Sequence, residues 1–117
     1  MTTDSSPAAP GDDQATGELS RERDRVVRRL RSMPLDAIPV NRVLAVGQAL
    51  ADLAATATGD QVRVVPRLAP HAAADQLAVL TADVETAAAT LAAEDPPAAE
   101  ALADQARVVL ADLRREI

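Results

Sequence analysis

Large apolar residues recur at intervals of three and four positions in four separate segments of the chain. Such spacing places them on one face of an α-helix. The pattern predicts helices at about residues 20–32, 40–58, 70–93 and 96–116. The residues predicted to face inward are Leu19, Val26, Val27, Leu30 and Met33; Val43, Val46, Leu50, Leu53 and Ala57; Ala73, Leu77, Leu80, Val84, Ala87 and Leu91; and Leu102, Ala106, Val109, Leu113 and Ile117.

Residues that favour helix ends stand at the borders of these segments. Ser20 is suited to cap the first helix, and Pro34 ends it, since proline disfavours helical backbone in the residue before it. Gly59 favours the left-handed conformation that ends many helices, here the second. Asp95 is suited to cap the fourth helix, with Pro96 at its first position.

Short connections between helices favour antiparallel neighbours. The sequence therefore predicts an all-α fold, an antiparallel up-down four-helix bundle formed as a single domain by residues 18–117. Residues 1–17 are rich in Asp, Ser, Pro, Ala and Gly. They offer too little apolar surface to offset the entropy of ordering, so we expect a disordered acidic tail.

The composition excludes several classes of function. The chain of 117 residues has no cysteine, which excludes disulfides, thiolate metal sites and cysteine nucleophiles. It has no aromatic residue, so bases of single-stranded nucleic acid have no ring to stack on except one imidazole. Its twelve basic residues are all arginine, and 27 residues are alanine, as expected of a GC-rich bacterial coding sequence.

No catalytic arrangement stands out in the sequence. No serine lies in a Gly-x-Ser-x-Gly motif, and the four glycines are too dispersed for a phosphate-binding loop. The carboxylate pairs one helical turn apart, Glu100 with Asp104 and Asp112 with Glu116, are typical of solvated helix surfaces. We therefore expect no enzymatic activity, no cofactor and no metal site.

The charge is unevenly distributed along the chain. Residues 21–31 hold six arginines against two acids, whereas residues 68–112 hold eight acids against one arginine. A basic helix could neutralise phosphates, so a small nucleic-acid-binding regulator is an alternative. The acids within and beyond this helix make that function less favoured. Its contacts would be Arg21, Arg25, Arg28, Arg29 and Arg31.

A second alternative concerns the histidine. His71 and Asp75 are one helical turn apart at the start of the third helix, and Arg67 precedes them. If the last helix folds back along the third, Arg114 and Arg115 come near this end. Arginines and a helix N-terminus suit an anion better than a cation, so this end could sense an anion or a small metabolite.

The connection "QVRVVPRL" is extended and apolar in an otherwise helical sequence. We predict that it is either a lid across the end of the bundle, covering Leu44 or Val79, or an exposed binding surface. The candidate partner surface consists of Val62, Val64, Val65, Arg67, Leu68 and His71.

These observations favour a non-enzymatic helical bundle that acts through protein–protein contact, as a homodimer or as an accessory or adaptor subunit. Apolar residues outside the inward faces, such as Val79 and Val108, support this expectation. No run of residues approaches the roughly 18–20 apolar positions of a membrane span, and the acidic first residues do not resemble a signal peptide. We therefore expect a cytoplasmic protein without a membrane partner.

Overall fold

The computed structural model describes the backbone of residues 10–117 and the side chains of residues 14–117. Its α-helices are α1 (Pro10–Ser32), α2 (Val40–Thr58), α3 (Ala73–Ala92) and α4 (Pro96–Glu116), with 3-10 turns at Leu35–Ala37 and Pro70–Ala72. The predicted all-α four-helix bundle is confirmed. None of the helices in the described region is long and apolar enough to cross a membrane.

The pair formed by α3 and α4 is the centre of the bundle. Each of these two helices packs against all the other helices, whereas α1 and α2 lie on opposite sides of the pair. Alanines make up much of the buried surface of the pair, which lets the two backbones come close together. The buried alanines are Ala73, Ala74, Ala87, Ala88, Ala99, Ala103, Ala106 and Ala111.

The directions of the helices depart from the strict alternation predicted from short connections. Helix α1 runs antiparallel to α3, because Ser20 meets Glu85 and Arg31 meets Asp75. Helix α2 runs in the same direction as α3: Gly47 packs against Leu77 and Leu80, and the last turns of both helices line one groove. The bundle therefore has two helices in each direction, with α2 and α3 as a parallel pair.

The connection between α2 and α3 explains this difference. It is not a short turn, because residues 60–69 have no regular secondary structure and run back along the bundle. Ten extended residues span roughly 33 Å. That is enough to return along a helix of 19 residues, about 28 Å long.

The inward faces predicted from the spacing lie in or against the core, which also contains further alanines and Leu110. The spacing predicts Val109 in the core, but Val109 is only partly buried. Its neighbour Leu110 is fully buried instead. Leu102, Ala106, Leu110 and Leu113 keep 4-4-3 spacing and face the other helices. The fully buried leucines of the described region are Leu19, Leu30, Leu50, Leu77, Leu110 and Leu113.

Helix α1 begins ten residues earlier than predicted. Ser20 is not an N-cap, because it lies within the helix and its hydroxyl donates a hydrogen bond to Glu85 of α3. The extra turns follow from packing, since Ala15 and Leu19, four positions apart, are both buried. Residues 10–17 of the predicted tail are thus helical, and residues 1–9 lie outside the described part. The predicted ends at Gly59 (φ 74°) and Asp95, which accepts from the Ala98 N–H, are confirmed.

A buried carboxylate joins α1 to α4. Glu22 is 3 % exposed and occupies the inward face of α1 between Leu19 and Val26. The guanidinium of Arg114 in α4 donates to both of its oxygens, one of them at 3.3 Å, and Arg25 approaches at 3.4 Å. The hydrogen bond to Glu22 raises the pKa of Arg114. A buried charge needs such partners, since an unpaired one is costly.

Replacing Arg114 should therefore destabilise the bundle more than replacing its neighbour Arg115. R114A leaves Glu22 buried with only the longer contact to Arg25, so the midpoint of urea unfolding should fall. R115A removes an exposed pair with Asp112 and should cost at most about 0.5 kcal/mol. Urea unfolding followed by circular dichroism measures both. Equal losses for the two variants would contradict this role of Glu22.

A second ion pair joins the start of α2 to the end of α4. Arg42 donates through Nε to both carboxylate oxygens of Glu116 at 3.0 Å. The hydrogen bond from Arg42 lowers the pKa of Glu116 below its ordinary value. Because the folded-state pKa is lowered, the pair stabilises the fold above the ordinary glutamate pKa. This contribution is lost as the pH falls through the lowered pKa.

The titration of Glu116 tests this pair. In the wild-type protein, we expect the carboxyl carbon of Glu116 to titrate below an ordinary glutamate, as measured by 13C NMR. In R42Q its midpoint should rise towards the ordinary value, since the cation is gone. An unchanged midpoint in R42Q would show that Arg42 does not hold the carboxylate.

Candidate functional site

Residues 60–69, here called the strap, lie along α2 in the opposite direction. The Gln48 side chain amide donates to the Arg63 carbonyl (2.9 Å) and accepts from the Val65 N–H (2.8 Å). Further along the strap, Arg67 donates to Asn41, seven positions earlier in α2. The Gln48 amide thus bonds to the strap as a neighbouring β-strand would, although the bundle supplies no strand there.

The other edge of the strap is fixed to α3. Gln76 donates through Nε2 to the Pro66 carbonyl at 2.8 Å. Val65 is buried, whereas Val64 is 89 % exposed, which is the alternation of an extended chain. The strap is therefore not a lid across the end of the bundle. It runs lengthwise, with one side chain against the core and the next in solvent.

A buried glycine lets the strap and α3 approach α2. A Cβ atom on Gly47 would lie 3.0 Å from Leu80 Cδ1 and 3.8 Å from Val65 Cγ1. A larger side chain at this position would push α3 or the strap away. Gly47 is thus a positioning residue of the site, and the sequence analysis did not identify it.

The strap, the second half of α2 and α3 enclose an open groove of about 890 Å³, which we call the strap groove. This volume lies within the range of ligand-binding clefts. Small residues line its inner surface, among them Ala51, Ala54, Ala55, Ala72 and Ala87. Larger apolar residues stand at its borders and are exposed, namely Val64, Leu68 and Val79.

The charged residues of the strap groove are mostly acidic. Asp60, Asp75 and Asp83 line it, against Arg63. Asp75 is bound by Arg31 of α1 at 2.7 Å, and Asp60 accepts from the Thr58 hydroxyl at 2.9 Å. Asp83 forms no salt bridge with the described residues. The field within the groove therefore favours a cationic ligand over an anionic one.

The candidate partner surface from the sequence analysis lies partly on this groove. Val62, Val64 and Leu68 are exposed, but Val65 is buried and serves to anchor the strap. Arg67 is exposed and bonded to Asn41, and His71 is exposed in the 3-10 turn before α3. The contribution of α3, above all Val79, could be found only once α2 and α3 were known to be neighbours along their lengths.

The arginines of the nucleic-acid alternative are all exposed on α1, but three of the five have intramolecular partners. Arg25 contacts Glu22, Arg31 contacts Asp75, and Arg29 donates to the Ile117 carbonyl at 2.7 Å. Arg21 and Arg28 form no salt bridge with residues 14–117. The basic segment is thus used in part to join α1 to α3 and α4.

The arginines expected near His71 each bind another residue, and Arg67 binds Asn41. Asp75 pairs with Arg31, Arg114 with Glu22, and Arg115 with Asp112. Arg31 reaches Asp75 because the last turn of α1 lies beside the first turn of α3. Among the described residues no group of His, Asp or Glu side chains has an arrangement suited to a metal ion.

The fold and the strap groove define the chain as a four-helix bundle with an extended strap between two parallel helices. Comparison with protein-family models, curated proteins and solved structures gave no significant match.

Removing the Gln48 side chain should release the strap. Q48A loses the hydrogen bonds to Arg63, Val65 and Asp52, so we expect a loss of about 1–3 kcal/mol and faster amide exchange at Val65. Q105A is the control, since Gln105 is an exposed glutamine on α4 away from the strap. Unchanged exchange at Val65 in Q48A would contradict the described attachment.

Proposed function

We propose that this chain is a non-enzymatic protein-interaction module that binds a partner protein through the strap groove. The observation that carries the proposal is the exposed apolar border of this groove. Val64 and Val79 are 89 % and 61 % exposed, on the strap and on α3, and the exposed Leu68 lines the same groove. Clustered apolar side chains around a cleft are characteristic of binding sites for proteins.

The polar groups of the strap groove support binding rather than catalysis. Asp75 and Asp83 are eight positions apart on α3, or about 12 Å along the helix axis. A general acid and base must both reach the reacting atoms of one substrate. The aspartates of α3 are spaced along the groove, which instead suits contacts with successive residues of a partner.

The partner in this proposal is a different protein, for which the chain is an accessory or adaptor subunit. A homodimer through the same surface is the competing form. Binding of nucleic acid by α1 is less favoured, because Arg25, Arg29 and Arg31 have intramolecular partners and the protein is acidic as a whole. We further propose a cytoplasmic location, in keeping with a chain that has no cysteine and so needs no oxidising compartment.

Charged substitutions at the border of the groove should abolish the interaction. We expect V64D and V79D to lose partners that the wild-type chain captures from a lysate of the native cell. V108D is the matched control, since Val108 is an exposed valine on α4 outside the groove. Quantitative mass spectrometry of the captured proteins gives the comparison.

The control must keep its partners for the proposal to stand. If V108D and V64D lose the same proteins, or if neither variant changes the captured set, the strap groove is not the binding surface. Light scattering on the purified chain distinguishes the homodimer. If the wild-type chain is a dimer and V64D is a monomer, the homodimer hypothesis replaces the adaptor hypothesis.

A further inference from the structure

The backbone of the strap has one edge bound and one edge open beside Val64. In an extended chain, the carbonyl before a residue and the N–H after it point to one side, and the residue's own N–H and C=O point to the other. Gln48 binds the Arg63 carbonyl and the Val65 N–H, which flank Val64. The N–H and C=O of Val64 therefore point away from α2.

The open edge faces the strap groove. The Pro66 carbonyl, two residues on and hence on the same edge as Val64, points towards α3, where Gln76 binds it. Within residues 10–117 the Val64 N–H and C=O form no hydrogen bond. The described structure thus leaves the backbone of Val64 unpaired on the side of the strap that faces the groove, next to the Pro66 carbonyl that Gln76 binds.

We propose that the strap groove binds an extended segment of the partner protein, which pairs with Val64 as an added β-strand. This inference rests on the proposed function and specifies the partner. Main-chain hydrogen bonds to the Val64 N–H and C=O would supply affinity, and alternate side chains would enter the groove. The small residues Ala51, Ala54 and Ala87 leave room for β-branched side chains there.

Charge specifies the segment further. Asp83 and Asp60 line the groove without an arginine or lysine partner among the described residues, and Arg63 is the one cation that lines it. A lysine or arginine in the segment, placed opposite Asp83, would match this field. We therefore expect an apolar extended segment with at least one basic residue.

Two other occupants fit the open edge less well. A helix has its own backbone groups paired internally, so it would leave the Val64 N–H and C=O unpaired under an apolar ligand, which is costly. The strap of a second copy is bound to its own α2 on one edge, and its open edge lies beside its own α3. An extended segment that is free on both edges meets neither obstacle.

A phage-displayed library of random decapeptides, selected against the full chain, provides the probe. We expect selected peptides with β-branched residues at alternate positions and a basic residue, and binding that V79D abolishes. Methylation of single backbone nitrogens in such a peptide should weaken binding about tenfold or more at every second position. Methylation at the positions between should be tolerated, because those N–H groups point away from the strap.

Amide hydrogen exchange measured by NMR reports on the strap itself. In the free protein, the Val64 amide should exchange rapidly, whereas the Val65 amide, bound to Gln48, should be protected. Addition of a selected peptide should slow exchange at Val64 at least tenfold. V64P, which lacks this N–H, should bind the peptide at least tenfold more weakly than V64A, with circular dichroism confirming that both variants are folded.

Each contrary result overturns the inference in a recognisable way. If the selected peptides require Val79 for binding and yet show no alternating effect of N-methylation, or leave amide exchange at Val64 unchanged, strand addition is excluded. The groove then remains a binding site. If the library yields no peptide whose binding V79D abolishes, an extended ligand is excluded. The lysate capture experiment then tests the proposed function on its own. If the free chain forms a dimer in which the Val64 amide is protected from exchange, the open edge binds a second copy of the chain instead.

Discussion

The bonding of the strap to α2 is the interaction on which the arrangement of the molecule depends. Gln48 holds Arg63 and Val65 against α2 and so lets the chain return along the whole helix before α3 begins. Because the chain returns, α2 and α3 run in the same direction. Their parallel packing, in which Gly47 lies against Leu77 and Leu80, creates the cleft that the strap borders.

The helices follow from local sequence, and the path between them does not. Apolar spacing, Gly59 and Asp95 are signals within a few residues, and each predicts an element that the structure contains. The course of the strap depends on Gln48, which acts 15–17 positions away in sequence and looks like any polar helix residue. Local signals therefore predict the four-helix bundle but not that α2 and α3 run in the same direction.

The strap residues of the candidate site could be predicted from the sequence, and its α3 residues could not. Val62, Val64 and Leu68 stand out as apolar residues in a connection, whereas Val79 belongs to the site only because α3 lies beside the strap. The burial of Glu22 also has a signal in the sequence, since Glu22 continues the three- and four-residue spacing of Leu19 and Val26. A charged residue at such a position indicates a buried partner, here Arg114.

The distance between the ends of α2 and α3 tests the parallel arrangement most directly. The chain has no cysteine, so spin labels can be placed at T58C with T90C, and at T58C with H71C, for electron paramagnetic resonance. We expect Thr58 to lie close to Thr90, since both residues line the groove. The distance from Thr58 to His71 should be greater by much of the length of α3, which is about 30 Å. A short distance from Thr58 to His71 and a long one to Thr90 would contradict it.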